Sequence, residues 1–232
     1  MSIDTIIPIS GFSEPFSSMS HLFAAAIFLF FGIWLIYRER DSLTKIVALS
    51  IFTFSGVFLL SMSGVFHLLE PQGSARDVLQ RLDHAGIFLL IAGTITPVHS
   101  ILFRGIWRWG MLLMIWAIAI TSITFKTIYF HDLSEWFGLS LYLGMGWLGA
   151  ITGVLLFRRY GFAFIKPLIY GALAYTSGAV MEFVRMPILI PGVIGPHELF
   201  HIAVLMGLGY HFAFVLSFSS LPIPTRKTSP RE

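Results

Sequence analysis

The sequence predicts an all-α polytopic membrane protein, a bundle of seven transmembrane helices. Hydrophobic residues make up 56% of the 232 residues and charged residues only 12%, against about 25% charged in an ordinary soluble domain. The mean hydropathy is +0.82. So few polar side chains cannot cover a globule of this size, and seven apolar runs approach or exceed the roughly 20 residues a helix needs to cross a bilayer.

The runs follow one another with short loops and no extramembrane domain. Residues 1–16, with Pro8, Gly11 and Pro15, form a surface segment. No Lys or Arg precedes the first run, 17–37, which is therefore expected to be retained as a span rather than cleaved as a signal peptide. The second, 45–69, ends in Ser63-Gly64-Val65-Phe66-His67, and the third, 83–103, opens with Asp83-His84. The fourth covers 106–125. The fifth, 135–157, carries Gly149 and Gly153 as a small-xxx-small pair, expected to pack closely inside the bundle rather than to dimerise. The sixth covers 164–183 and the seventh, 197–218, opens with His197-Glu198-Leu199-Phe200-His201. The transmembrane domain is thus 17–218. The tail 219–232, with Pro222, Pro224, Pro230 and the basic Arg226, Lys227 and Arg231, reads as disordered.

Net charge is +3, but the basic residues sit in short loops rather than in a stripe, so nucleic acid is not an expected partner. With seven spans, Arg38, Arg40, Lys45, Arg104, Arg108, Arg158, Arg159, Lys166, Arg226, Lys227 and Arg231 fall on the C-terminal side. Only Arg76, Arg81, Lys126 and Arg185 fall on the other. The positive-inside rule then puts the C-terminus in the cytoplasm and the N-terminus outside, in a cell (inner) membrane. The chain has no cysteine, which excludes disulfides and thiolate metal ligands.

Polar groups inside such spans are costly and point to function. His197 and His201, four apart, share one helix face and can reach one ion. Alternate spans return to the same side of the membrane, so His67, Asp83, His197 and His201 all lie at the N-terminal face. Three imidazoles leave a catalytic zinc an open fourth position. Asp83 can hold or deprotonate a water, and Ser63, one turn before His67, can bond that water or an oxyanion. His21, His84, His99, His131 and His211 are read as hydrogen-bonded residues without a metal role, His211 pairing with a polar group in the core. Glu182 and Arg185, three apart, are read as an ion pair at a helix end, close to the site entrance.

The segment His197–His201 also matches the H-E-x-x-H pattern of zinc proteases, in which the Glu is the general base. Gly207 occupies the position where a metzincin has its third ligand, so that ligand has to come from upstream. Intramembrane proteases place an Asp after the motif, whereas Leu82-Asp83-His84 precedes it.

The assembled pattern resembles the progestin and adipoQ receptor superfamily and its bacterial branch, the hemolysin III proteins. The residues that carry it are Ser63-x-x-x-His67, the run Asp83-His84-Ala85-Gly86-Ile87-Phe88-Leu89-Leu90-Ile91-Ala92-Gly93-Thr94-Ile95-Thr96-Pro97, and His197-x-x-x-His201. The resemblance implies a seven-helix bundle with an intramembrane zinc on His67, His197 and His201, a water-holding Asp83 and a site Ser63. Some relatives carry Gln where this chain has Glu198, which weakens Glu198 as an essential base. The superfamily is also similar to alkaline ceramidases, whose orientation agrees with the charge count, whereas the adiponectin-receptor type has its N-terminus in the cytoplasm. Three functions follow as expectations: a zinc-dependent hydrolase of a lipid amide or ester, taking its substrate from the membrane; a non-enzymatic sensor, homeostasis factor or cytolysin with structural zinc; and an intramembrane metalloprotease.

Overall fold

The structure, a computed structural model, describes residues 6–9 and 11–224. Its elements are α1 (Pro15–Arg38), α2 (Leu43–Leu68), α3 (Ser74–Leu102), α4 (Gly105–Ile128), α5 (Glu135–Tyr160), α6 (Phe162–Val184) and α7 (Pro196–Phe218). A helix stands at each of the seven predicted runs, most with ends within three residues of the prediction. The chain is an all-α, multi-pass membrane protein. Six of the helices are long and apolar enough to cross a membrane. The other, α6, has the length, but Lys166, Glu182, Tyr170, Tyr175, Thr176 and Ser177 dilute its apolar character.

The largest difference from the prediction is at α3, which starts nine residues early, at Ser74. Its first turns carry Arg76, Asp77 and Arg81, which no hydropathy window counts as membrane. From Ala85 to Leu102 nearly every side chain is buried, so α3 is the central helix. Pro97 inside it removes a backbone donor. Thr96 Oγ1 donates back to the Ala92 carbonyl at 2.8 Å and receives the Trp116 indole N–H at 3.0 Å.

Two apolar clusters hold the bundle. The larger joins α1, α2, α3 and α7 through Phe28, Phe52, Leu60, Leu90, Phe214 and Phe218. The smaller joins α3, α4 and α5 through Phe88, Ile95, Ile115 and Met145. Apolar packing does not drive helices together in lipid as it does in water, so close approach at small residues carries the association. Gly64 faces Leu22, Gly86 faces Leu59 and Gly93 faces Ser55, each so closely that an added Cβ would lie under 3 Å from the neighbour.

The glycines of α5 behave differently. A Cβ at Gly144, Gly146 or Gly149 meets nothing within 4 Å, and one at Gly153 only grazes Leu168 Cδ2 at 4.0 Å. The close packing expected of Gly149 and Gly153 is therefore absent. Both residues instead line a cavity between α3, α5, α6 and α7.

The terminal segments are partly fixed. Ser13 N–H and Glu14 N–H donate to the Leu68 and His67 carbonyls at 3.2 and 3.0 Å, satisfying the open end of α2. Ser219 is buried and Leu221 packs on the core. The rest of the tail predicted to be disordered, 225–232, lies outside the described residues. Gly86→Ala, pressed on Leu59, should destabilise the purified protein by about 1–3 kcal/mol, as overpacking does. Gly149→Ala should leave the melting temperature unchanged or slightly raised, because it adds helix propensity in open space. Thermal denaturation in one detergent compares the two.

Candidate metal centre

Helix α7 begins with Pro196 in its first turn, where a missing N–H costs nothing and φ is already helical. Glu198 closes that turn by accepting the Gly195 N–H at 2.9 Å. Its other oxygen receives the Ser17 hydroxyl of α1 at 3.1 Å. Helix geometry then sets His197 and His201 on one face, toward the last turn of α2, where His67 stands.

The three rings meet edge to edge. His197 Nε2 lies 3.2 Å from His67 Nε2 and 3.1 Å from His201 Nε2. Ligand atoms of all three lie within 4.8 Å of one another. Four-coordinate bonds of 2.0–2.1 Å require N···N separations of about 3.3 Å, close to what these rings present.

The proton positions follow from the partners. His67 Nδ1 lies 2.6 Å from Glu14 Oε2, and His197 Nδ1 lies 3.3 Å from Glu182 Oε1. An ionised carboxylate only accepts, so both Nδ1 atoms carry hydrogen, and in the neutral rings both Nε2 atoms are lone pairs. Lone pairs aimed at one another at 3.2 Å repel. A cation between them removes the repulsion, and carboxylate-bound imidazole is the usual setting of a metal ligand.

Each carboxylate is itself held by an arginine. Arg76 of α3 reaches Glu14 Oε1 at 2.5 Å, donates to the Leu69 carbonyl and lies over the Phe66 ring. Arg185, just past α6, reaches Glu182 Oε1 at 3.0 Å. Burial alone would raise the Glu14 carboxyl. The hydrogen bonds and charges of His67 and Arg76 overcome it and hold the group down at about 2.

Asp83 lines the cavity together with His67, His197, Glu14 and Glu182, and sits 4.0 Å from the His84 ring. Ser63 is buried and hydrogen-bonds His21 Nδ1 at 2.9 Å. It is not among the cavity-lining residues. The His21 ring stacks on His201 with centroids 3.9 Å apart. His21 is thus hydrogen-bonded, as expected, and it also packs against a candidate ligand. Glu182 keeps its expected pairing with Arg185 and also orients His197.

The remaining histidines are hydrogen-bonded away from the centre. His84 donates to the Gln80 carbonyl, His99 contacts the Trp107 carbonyl and Thr152, and His131 pairs with Asp77. His211 finds the Leu168 carbonyl in the core.

Sequence reading missed Glu14 and His21. The alternation of sides that grouped His67 with His197 was the available signal, because the start of α1 lies on that same face.

From the centre a cavity of about 1010 Å³ extends along α3 from Gln80 to Val98 and is walled by α5, α6 and α7. Eighteen residues of helix correspond to about 27 Å. The walls are mainly apolar, with polar groups gathered at the imidazole end. The fold and this centre together define a polytopic helical membrane protein with an interfacial three-histidine cluster able to hold a metal ion.

Residues 10–212 match the family described as haemolysin-III related. The chain is 30% identical to the hemolysin-3 homolog of Bacillus subtilis (strain 168) over 173 residues, 75% of this chain and 78% of that protein. It is also 30% identical to the hemolysin-3 of Bacillus cereus over 184 residues, 78% of each chain. The chain belongs to the haemolysin-III-related family.

Both Glu198 oxygens are engaged, one in starting α7 and the other in tying it to α1, which is a structural use. Glu198→Ala should lower the melting temperature, by about 0.5–2 kcal/mol of stability for a lost cap. Glu198→Gln should leave metal content unchanged. Elemental analysis with a melting curve reads both.

Proposed function

We propose that this protein is an integral-membrane zinc-dependent hydrolase that cleaves a lipid amide or ester. The observation that carries the reading is the convergence of imidazole lone pairs at the head of a long apolar cavity. His67, His197 and His201 would hold the ion. An all-imidazole set suits zinc better than magnesium or calcium. Bound there, zinc would supply Lewis-acid polarisation of a carbonyl and lower the pKa of water toward about 7.

The chain's own residues do the rest. Asp83, on the cavity wall, orients the attacking water and takes its proton. Glu14 and Glu182 fix the tautomers and ring planes of His67 and His197. Ser63 keeps His21 stacked against His201, and through it the third ligand in place. The apolar walls take the acyl chain, which enters from the bilayer beside the α5 glycines, where no side chain fills the gap. Of the protease reading little is left, because Glu198 is tied to Ser17 and Gly195 rather than free to act as a base. The Lys and Arg distribution supports an inner membrane with the N-terminus outside, which puts the centre near the outer face.

One observation favours a second reading. The cluster links the end of α2 to the start of α7, two helices whose backbones stay apart and which otherwise meet through long side chains such as Phe52 and Phe212. A metal there would staple the bundle whether or not it also acted on a substrate. On this reading the protein is a non-enzymatic membrane factor, or a cytolysin as the relatives' names suggest.

Elemental analysis of purified protein should find about one zinc per chain, and His197→Ala should lose it. Asp83→Asn separates the readings. Under the hydrolase reading it keeps zinc and melting temperature but loses roughly 10²–10⁴-fold of lipid amide or ester turnover. If Asp83→Asn is harmless while chelation lowers the melting temperature, the structural reading stands instead. Glu14→Gln should weaken zinc binding about 10–100-fold, read by competition with a chelator, because His67 loses its orienting carboxylate.

A further inference from the structure

Midway along the α6–α7 interface two polar rings are seated on two glycines. A Cβ on Gly171 of α6 would lie 2.2 Å from the His211 ring, and one on Gly207 of α7 would lie 2.7 Å from the Tyr175 ring. Gly171 and Tyr175 are four residues apart, as are Gly207 and His211. The two helices therefore exchange ring for glycine in reciprocal register. The ring centroids stand 5.3 Å apart, and both side chains line the cavity.

The hydrogen bonding of this pair is incomplete in a specific way. His211 Nε2 donates to the Leu168 carbonyl at 3.3 Å, which puts the ring proton on Nε2 and leaves Nδ1 a lone pair. That Nδ1 is buried without a partner, and so is the Tyr175 hydroxyl. Buried polar atoms are nearly always paired. Here one is an acceptor and the other a donor, on two side chains that line one cavity together with Leu168, Ile169, Ala172, Thr176 and Val204.

An alcohol satisfies both, donating to Nδ1 and accepting from the tyrosine O–H. A ketone cannot donate to Nδ1, and an alkyl chain satisfies neither. Ten residues separate His211 from His201, about 15 Å along α7.

We propose that His211 and Tyr175 form a hydroxyl-binding station that recognises an alcohol group on a long-chain amphiphile, far from its head group. The inference rests on the reading that a lipid chain occupies the cavity. A water molecule has the same hydrogen-bonding chemistry, so the test has to tell the two apart.

The probes are stearate, stearate hydroxylated at its twelfth carbon and stearate hydroxylated at its second carbon. With C–C bonds near 1.5 Å, the twelfth-carbon hydroxyl of an extended chain lies roughly 14 Å from the carboxyl. Their affinities are measured by displacement of radiolabelled stearate from purified full-length protein in nanodiscs. The wild type should bind the twelfth-carbon alcohol about ten-fold more tightly than either other probe, as one well-made buried hydrogen-bond pair would give. Tyr175→Phe, which keeps the ring against Gly207, should abolish that preference and leave stearate affinity and the melting temperature unchanged.

Equal affinities for the three probes in the wild type would overturn the station and leave it to water, with the lipid reading intact. A preference that survives Tyr175→Phe would overturn it too. Failure of all three to bind would overturn the lipid reading together with the station.

Discussion

The interaction on which the site depends is an electrostatic conflict at the place where α2 ends and α7 begins. Glu14 and Glu182 fix the protons of His67 and His197 on Nδ1, and the fold drives the two bare Nε2 atoms to 3.2 Å. A proton or a metal ion between the rings relieves the conflict. The conflict also explains the buried charges nearby. Arg76 and Arg185 pair with the two carboxylates and aim them, and Glu198 fixes the start of the helix that carries two of the three rings.

A bilayer makes this arrangement more consequential than it would be in water. Unpaired polar groups at membrane depth are expensive, and most of the polar residues between these helices are hydrogen-bonded or line the cavity, with Thr53 Oγ1 an exception. The helices meet where glycines permit, with Gly64, Gly86 and Gly93 holding α1, α2 and α3 together. Where glycines face open space, as along α5, the bundle keeps a cavity instead of a seam. The same residue type thus closes one half of the molecule and opens the other.

Much of this was legible in the chain. Seven apolar runs gave seven helices, because crossing length and hydropathy are local properties. His67, His197 and His201 could be grouped from the alternation of sides and the four-residue spacing on α7, and they do converge. Asp83 could be placed on the same face, and it lines the same cavity. What was not legible depends on contacts between distant segments. Glu14 lies outside any span, and its bond to His67 depends on the Ser13–Glu14 backbone capping α2. His21 lies on the same face as the other three, but only its stacking on His201 sets it apart from an ordinary interfacial histidine. Gly149 and Gly153 carried a packing signature that local sequence cannot distinguish from a cavity wall. The early start of α3 was hidden because its first turns are charged.

The order in which the parts of the centre are made has its own meaning. Glu14 is synthesised before any helix, whereas His201 follows six crossings, and the two reach the same cluster through His67. Folding of a growing chain generally proceeds from its N-terminus, so the first carboxylate waits for the last hairpin. Closure of the centre thus comes last, and a chain arrested before α7 would hold the Glu14–His67 pair without the two rings that complete the cluster.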